Sequence, residues 1–108
     1  MMCKSTHSNI TVSIKQAIFQ SQPEDGGLFV PEVFPKIDVL ELQGKEFSSI
    51  AFKVLKPFFE DIPEADFEKI IKQAFNFPIK LEKLKEDFFV LRLDLGPTLA
   101  FKDFGVRF

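Results

Sequence analysis

The chain contains no Trp, no Tyr, one Cys and one His. Without Tyr or Trp, neither phenol nor indole is available at the edge of a core or site, and the aromatic character comes from fifteen Phe. The lone thiol, Cys3, excludes an internal disulfide and fits a reducing compartment. No run of Lys or Arg and no basic–aromatic interleave is present, so no nucleic-acid groove is expected. Apolar runs stop after a few residues, far short of a membrane span. The first ten residues are polar and lack the apolar stretch of a secretion signal. A cytoplasmic location follows as the expectation, with no membrane partner and no metal site. Cys3 lies near a terminus expected to be mobile, His7 reads as a mobile surface residue, and the first organised element is expected to start near Ser13.

What is present favours folding. The 108 residues are 45% apolar with a formal net charge of −2, well outside the disordered regime. A chain this size buries roughly two-thirds of its unfolded surface, which permits a modest core. Fifteen Phe is a large number for so small an interior. Compositional bias explains most of it; some rings would cover a surface that further polypeptide, or a second copy, completes.

Periodicity predicts a mixed α+β chain with two main helices and a few short strands. Ser13-Ile14-Lys15-Gln16 fits a capping box opening a short helix that ends near Gln20. Pro23-Glu24-Asp25-Gly26-Gly27 is a turn, and Leu28-Phe29-Val30 a strand stopped by Pro31. From Phe47 to Phe59, Ile50, Ala51, Val54, Leu55, Phe58 and Phe59 make one helical stripe, with Pro57 ending or kinking it near Lys56. A second helix runs from about Pro63 to Phe75 and buries Phe67, Ile70, Ile71, Ala74 and Phe75. The two helices should pack on each other. After a charged turn at Lys85-Glu86-Asp87, Phe88 to Leu93 reads as a strand. Gly96-Pro97 then breaks the pattern, and a last turn or helix begins near Leu99.

Lys102 stands out by its setting, between Phe101 and Phe104 and followed by Asp103. A lysine desolvated by aromatic rings would supply neutral amine, the species that attacks an aldehyde. The same four residues also fit an amphipathic turn with its charges in water. On physics alone, that plainer reading prevails.

Gly96-Pro97-Thr98-Leu99-Ala100-Phe101-Lys102-Asp103-Phe104-Gly105, continued by Arg107-Phe108, closely resembles the cofactor-lysine segment of threonine synthases, H-G-P-T-L-A-F-K-D-F-G-A-R-F. Asp25-Gly26-Gly27-Leu28-Phe29-Val30-Pro31 resembles that family's D-G-G-L-Y-V-P. Lys4-Ser5-Thr6 is similar to its S-T-R region, and Ile62, Pro63, Ile70, Ala74 and Phe75 hold corresponding places in its helix. The likeness spans nearly the whole chain. It departs where Asp94-Leu95 replaces the family's Phe-His, and His7 stands where Arg or Asn is usual.

The resemblance implies residues 1–93 as the N-terminal domain of threonine synthase. Residues 94–108 would begin a pyridoxal-phosphate domain of the tryptophan synthase β type. It implies conversion of O-phospho-L-homoserine and water to L-threonine and phosphate, a lyase step of threonine biosynthesis. Lys102 would bind the cofactor and then move a proton, with Asp103 as a positioning residue, and the Asp25–Gly27 loop would lie near the cleft. The family's Thr-Ser-Gly-Asp-Thr-Gly stretch and phosphate-gripping loop are not in the sequence, so the 108-residue chain alone is expected to be inactive and to need the missing C-terminal catalytic region. The alternative is a non-catalytic interaction module that pairs through exposed Phe. A threonine dehydratase or cysteine synthase of the same fold fits less well, because those families generally lack the two glycine motifs in combination.

Overall fold

A computed structural model describes residues 1–108. The chain divides into two compact units, Met1–Gln43 with Lys53–Ile62, and Gly44–Phe52 with Pro63–Phe108.

The first unit is built on a three-stranded antiparallel sheet in which β1 (Met2–Ser5) is flanked by β2 (Thr11–Ser13) and β3 (Phe29–Pro31). Cys3 lies opposite Val12 on one side and Pro31 on the other. The terminal segment expected to be mobile is therefore the central strand. Its Cys3 and Ser5 alternate inward and are buried, whereas His7 just beyond is exposed as expected. Pro31 does not stop β3 but closes it, which an edge strand tolerates because that N–H is not needed. The expected capping box is present at α1 (Ile14–Gln20): Ser13 Oγ accepts from the Gln16 amide at 3.2 Å and Gln16 Oε1 from the Ser13 amide at 3.0 Å. Ala17 is the buried residue of that helix. Further on, Lys56 Nζ donates to the carbonyls of Phe59 and Ile62, pinning the turn after the Lys56–Phe58 3-10 segment.

The second unit takes in most of α2 (Phe47–Leu55), together with α3 (Glu64–Ala74), a hairpin of β4 (Lys80–Lys85) and β5 (Phe88–Arg92), and the single turn α4 (Asp103–Val106). α2 gives way at Lys56 to the 3-10 turn carrying Pro57, as the proline requires. Pro63 sits at the N-cap of α3 rather than inside its first turn. Phe67, Ile71 and Ala74 are its buried stripe. Edge-on ring contacts join the two helices, Phe52 with Phe67 at 5.6 Å and Phe47 with Phe75 at 5.3 Å between centroids. These are the expected packing partners.

The hairpin has two unlike faces. Lys80, Glu82, Val90 and Arg92 share one face, where Glu82 pairs with both Lys80 and Arg92. Leu81, Lys83, Phe89 and Leu91 share the other, and its three apolar side chains are more than half exposed. The pattern of residues alone does not predict β4. A bulge between Lys83 and Lys85 spaces Leu81 and Leu84 three apart, which hides the two-residue period. No helix in the chain is long and apolar enough to cross a membrane.

Candidate functional site

The expected site residue, Lys102, caps the N-terminus of α4 on an exposed turn. Its carbonyl accepts from the amides of Gly105 and Val106 at 3.0 and 2.9 Å, so this residue starts the helix. Phe101 is 68% exposed and does not shield the amine, while Phe104 turns inward. The desolvating aromatic sandwich is absent. The amine faces water, as the plainer reading of these four residues has it.

The turn before Lys102 is tightly determined. Asp103 is buried, and its Oδ2 accepts from the Thr98 amide at 2.9 Å. Leu99 takes a left-handed conformation at φ 56°, uncommon for a residue with a side chain, and donates its N–H to Gly96 O at 3.0 Å. Gly96 is buried directly against Asp103. A Cβ on Gly96 would overlap Asp103 Oδ2 and stand 2.8 Å from Asp103 Cβ and Cγ. The Gly-Pro-Thr sequence before the lysine thus has a steric reason: the carboxylate that pins Thr98 occupies the space of a side chain at 96. Gly96→Ala is expected to lower stability by about 1–3 kcal/mol through this overpacking, read by urea unfolding. Faster exchange at the Thr98 amide would show that the damage is local, and an unchanged unfolding midpoint would refute the steric account.

On its other side the lysine turn is anchored to α3. Phe104 contacts Phe47, Phe75 and Phe77 at 6.0, 6.3 and 5.0 Å, and Phe108 stacks on Phe75 at 6.1 Å. Arg107 donates to the carbonyls of Ala74 and Gln73 at 2.9 and 3.1 Å and to Asn76 Oδ1 at 2.8 Å. These contacts cross more than thirty residues of sequence, and no local pattern points to them.

Asp94, one of the departures from the family pattern, lies just past β5 and pairs with Arg92 at the end of that strand. Its two oxygens accept from Arg92 Nε and Nη2, each at 2.7 Å, and this pair holds the Asp94 carboxyl below its usual range.

In the first unit, the Asp25–Gly27 loop is held by polar bonds to β1. Ser5 Oγ donates to both oxygens of Asp25 at 2.9 and 2.8 Å and accepts from the His7 amide at 3.1 Å. The Gly27 amide donates to Asp25 Oδ1 at 2.9 Å. Gly26 has φ 76°, and a Cβ at Gly27 would come within 2.6 Å of Ser5 Oγ, so one glycine serves the left-handed backbone and the other the close approach of a side chain. The Ser8 hydroxyl, the Gly27 amide and the Ser5 hydroxyl, in that order, depress the Asp25 carboxyl. A depressed carboxylate stabilises the fold above its unfolded value of about 3.9 and loses that contribution as pH falls through the lower folded value. An NMR titration should give Asp25 a midpoint below that of a free Asp, moved upward in Ser5→Ala; coincident midpoints would contradict the bonding described.

A family model described as "Threonine synthase N terminus" matches residues 3–75. The chain belongs to the threonine synthase family. Threonine synthase of Haemophilus influenzae is 42% identical over 107 residues, covering 94% of this chain and 24% of that protein. The Escherichia coli K12 threonine synthase is 38% identical over 104 residues, covering 93% and 24%. Among solved structures, threonine synthase from Escherichia coli matches with TM-score 0.89 at 33% identity, over 97% of this chain and 26% of that one. A PLP-bound threonine synthase from Brucella melitensis gives TM-score 0.89 at 34% identity, over 95% and 25%. The chain spans about a quarter of the length of these relatives and corresponds to the family's N-terminal region.

Proposed function

We propose that the chain supplies the cofactor lysine of a pyridoxal-phosphate-dependent lyase that converts O-phospho-L-homoserine and water to L-threonine and phosphate, acting with the catalytic region that makes up the rest of its relatives. The supporting observation is the exposed amine of Lys102 on a turn fixed from Gly96 to Arg107. Pyridoxal phosphate, when bound, withdraws electrons from the substrate carbon attached to it. The residues fit that group in one respect: a solvent-facing primary amine stands on a rigid backbone beside no competing carboxylate, since Asp103 is turned inward to Thr98. Lys102 Nζ would hold the cofactor's aldehyde carbon and, once released, carry a proton. Asp103 would orient the lysine through the backbone without touching substrate. We place the start of the catalytic domain at 94–108, after an N-terminal domain of 1–93; the lysine turn lies outside the 3–75 stretch matched by the N-terminus family. A cytoplasmic location accords with such a metabolic step.

The test is to join the chain to the downstream three-quarters of a relative, add pyridoxal phosphate, reduce with borohydride and map the peptides. The pyridoxyl group should sit on Lys102. Labelling of another lysine, or none, would overturn the assignment.

A second reading rests on the exposed apolar face of the hairpin, Leu81, Phe89 and Leu91, and on exposed Phe19 and Phe34. Open apolar surface of this kind marks a place for a partner, either the catalytic region or a second copy of the chain. A stable dimer of the 108-residue chain that dissociates in Phe89→Ser would favour the second copy.

A further inference from the structure

We infer that Arg107 is a positioning residue, which fastens the lysine turn to the C-terminal end of α3 and so makes that helix part of the apparatus that aims Lys102. The inference rests on Lys102 as the cofactor lysine for its meaning, but its geometry stands independently.

The last carbonyls of a helix have no partner within it and must find donors elsewhere. At the end of α3 two of them, Gln73 O and Ala74 O, are taken by the guanidinium of Arg107, which also reaches Asn76 Oδ1. The same group lies 5.8 Å from the centroid of the Phe77 ring. A guanidinium presents several donors in a fixed plane, so one side chain can engage three acceptors and stack at once, which lysine cannot do. The cation also sits at the negative end of the helix dipole.

Arg107 follows directly on α4, whose opening bonds run from the Gly105 and Val106 amides to Lys102 O. Phe104, within α4, packs on Phe75 and Phe77, which flank the same helix end. The backbone of Lys102 is therefore clamped twice, by Asp103 to Thr98 on one side and through Arg107 and Phe104 to α3 on the other. The α3 helix falls within the residues matched by the N-terminus family. That region thereby acquires a role in the chemistry at a distance, since misplacing a reacting amine by an ångström is costly.

Amide exchange and kinetics test this together. In the 108-residue chain, Arg107→Ala should speed exchange at Gly105 and Val106 by about tenfold or more, with Arg107→Lys intermediate. In the chain joined to a relative's downstream region, Arg107→Ala should lower kcat about tenfold or more with KM within about twofold. Unchanged exchange at Gly105 and Val106 in Arg107→Ala would overturn the inference, as would an unchanged kcat in an enzyme whose pyridoxyl label sits on Lys102. The pyridoxyl map of the wild-type protein separates the two ideas: label on a different lysine sinks the cofactor assignment, whereas the exchange data alone decide the clamp.

Discussion

Lys102→Ala in the chain joined to a relative's downstream region should cut turnover by roughly 10²–10⁴-fold on the proposal that Lys102 transfers a proton, and further on the proposal that it also attaches the cofactor. Lys102→Arg should be equally inactive. Arginine keeps the charge and most of the length but offers no amine that loses its proton near neutral pH. Because Lys102 is exposed, neither change should alter stability beyond the small range usual for surface positions, within about 0.5 kcal/mol. The combination is diagnostic: activity lost, fold intact, and the pyridoxyl label gone from the map. A Lys102→Arg enzyme that still turns over would mean that the reaction uses some other amine.

The second large effect concerns stability. Phe67 is fully buried, lying between Phe52 at 5.6 Å and Phe108 at 5.9 Å. Phe67→Ala should cost about 3–5 kcal/mol, the usual loss for removing a buried ring and leaving its cavity. Domains of this kind are stable by only about 5–15 kcal/mol, so the urea midpoint should fall by a large fraction of its wild-type value. Phe19→Ala, at an 82% exposed position, should change stability by less than about 0.5 kcal/mol. Equal effects at the two positions would contradict the core described. Since Phe108 lies against Phe67, the mutant should also loosen the end of the lysine turn, joining the stability of α3 to the site.

The parts of this fold that sequence displays are those in which one element carries its own pattern. α2 and α3 repeat their apolar residues at helical spacing, Pro57 marks where the first one gives way, and Ser13 with Gln16 announces α1. β1 leaves no such mark. Its inward residues are Cys3 and Ser5, and a buried serine bonded to Asp25 does not look like a strand interior. β4 is concealed by its bulge, and the pairing of Glu82 with Arg92 emerges only once the register is known. At the site, a long motif singles out Lys102. Neither the inward turn of Asp103 nor the exposure of Phe101 can be read from residue order, since both depend on which way a single turn of helix faces. Arg107 is part of that motif, but its work is hidden for a related reason: its partners, Gln73, Ala74 and Asn76, are brought to it only by the tertiary path of the chain.

The chain's single cysteine sits in the middle strand of its sheet, closed off from solvent, and that burial drives the Cys3 thiol above its ordinary pKa. An alkylating reagent can react there only when the strand lets go of a neighbour, so the pace of modification clocks the opening of the first unit. The second unit has no thiol to answer the reagent. One covalent probe therefore reports on half of this chain and stays silent on the half that carries the lysine.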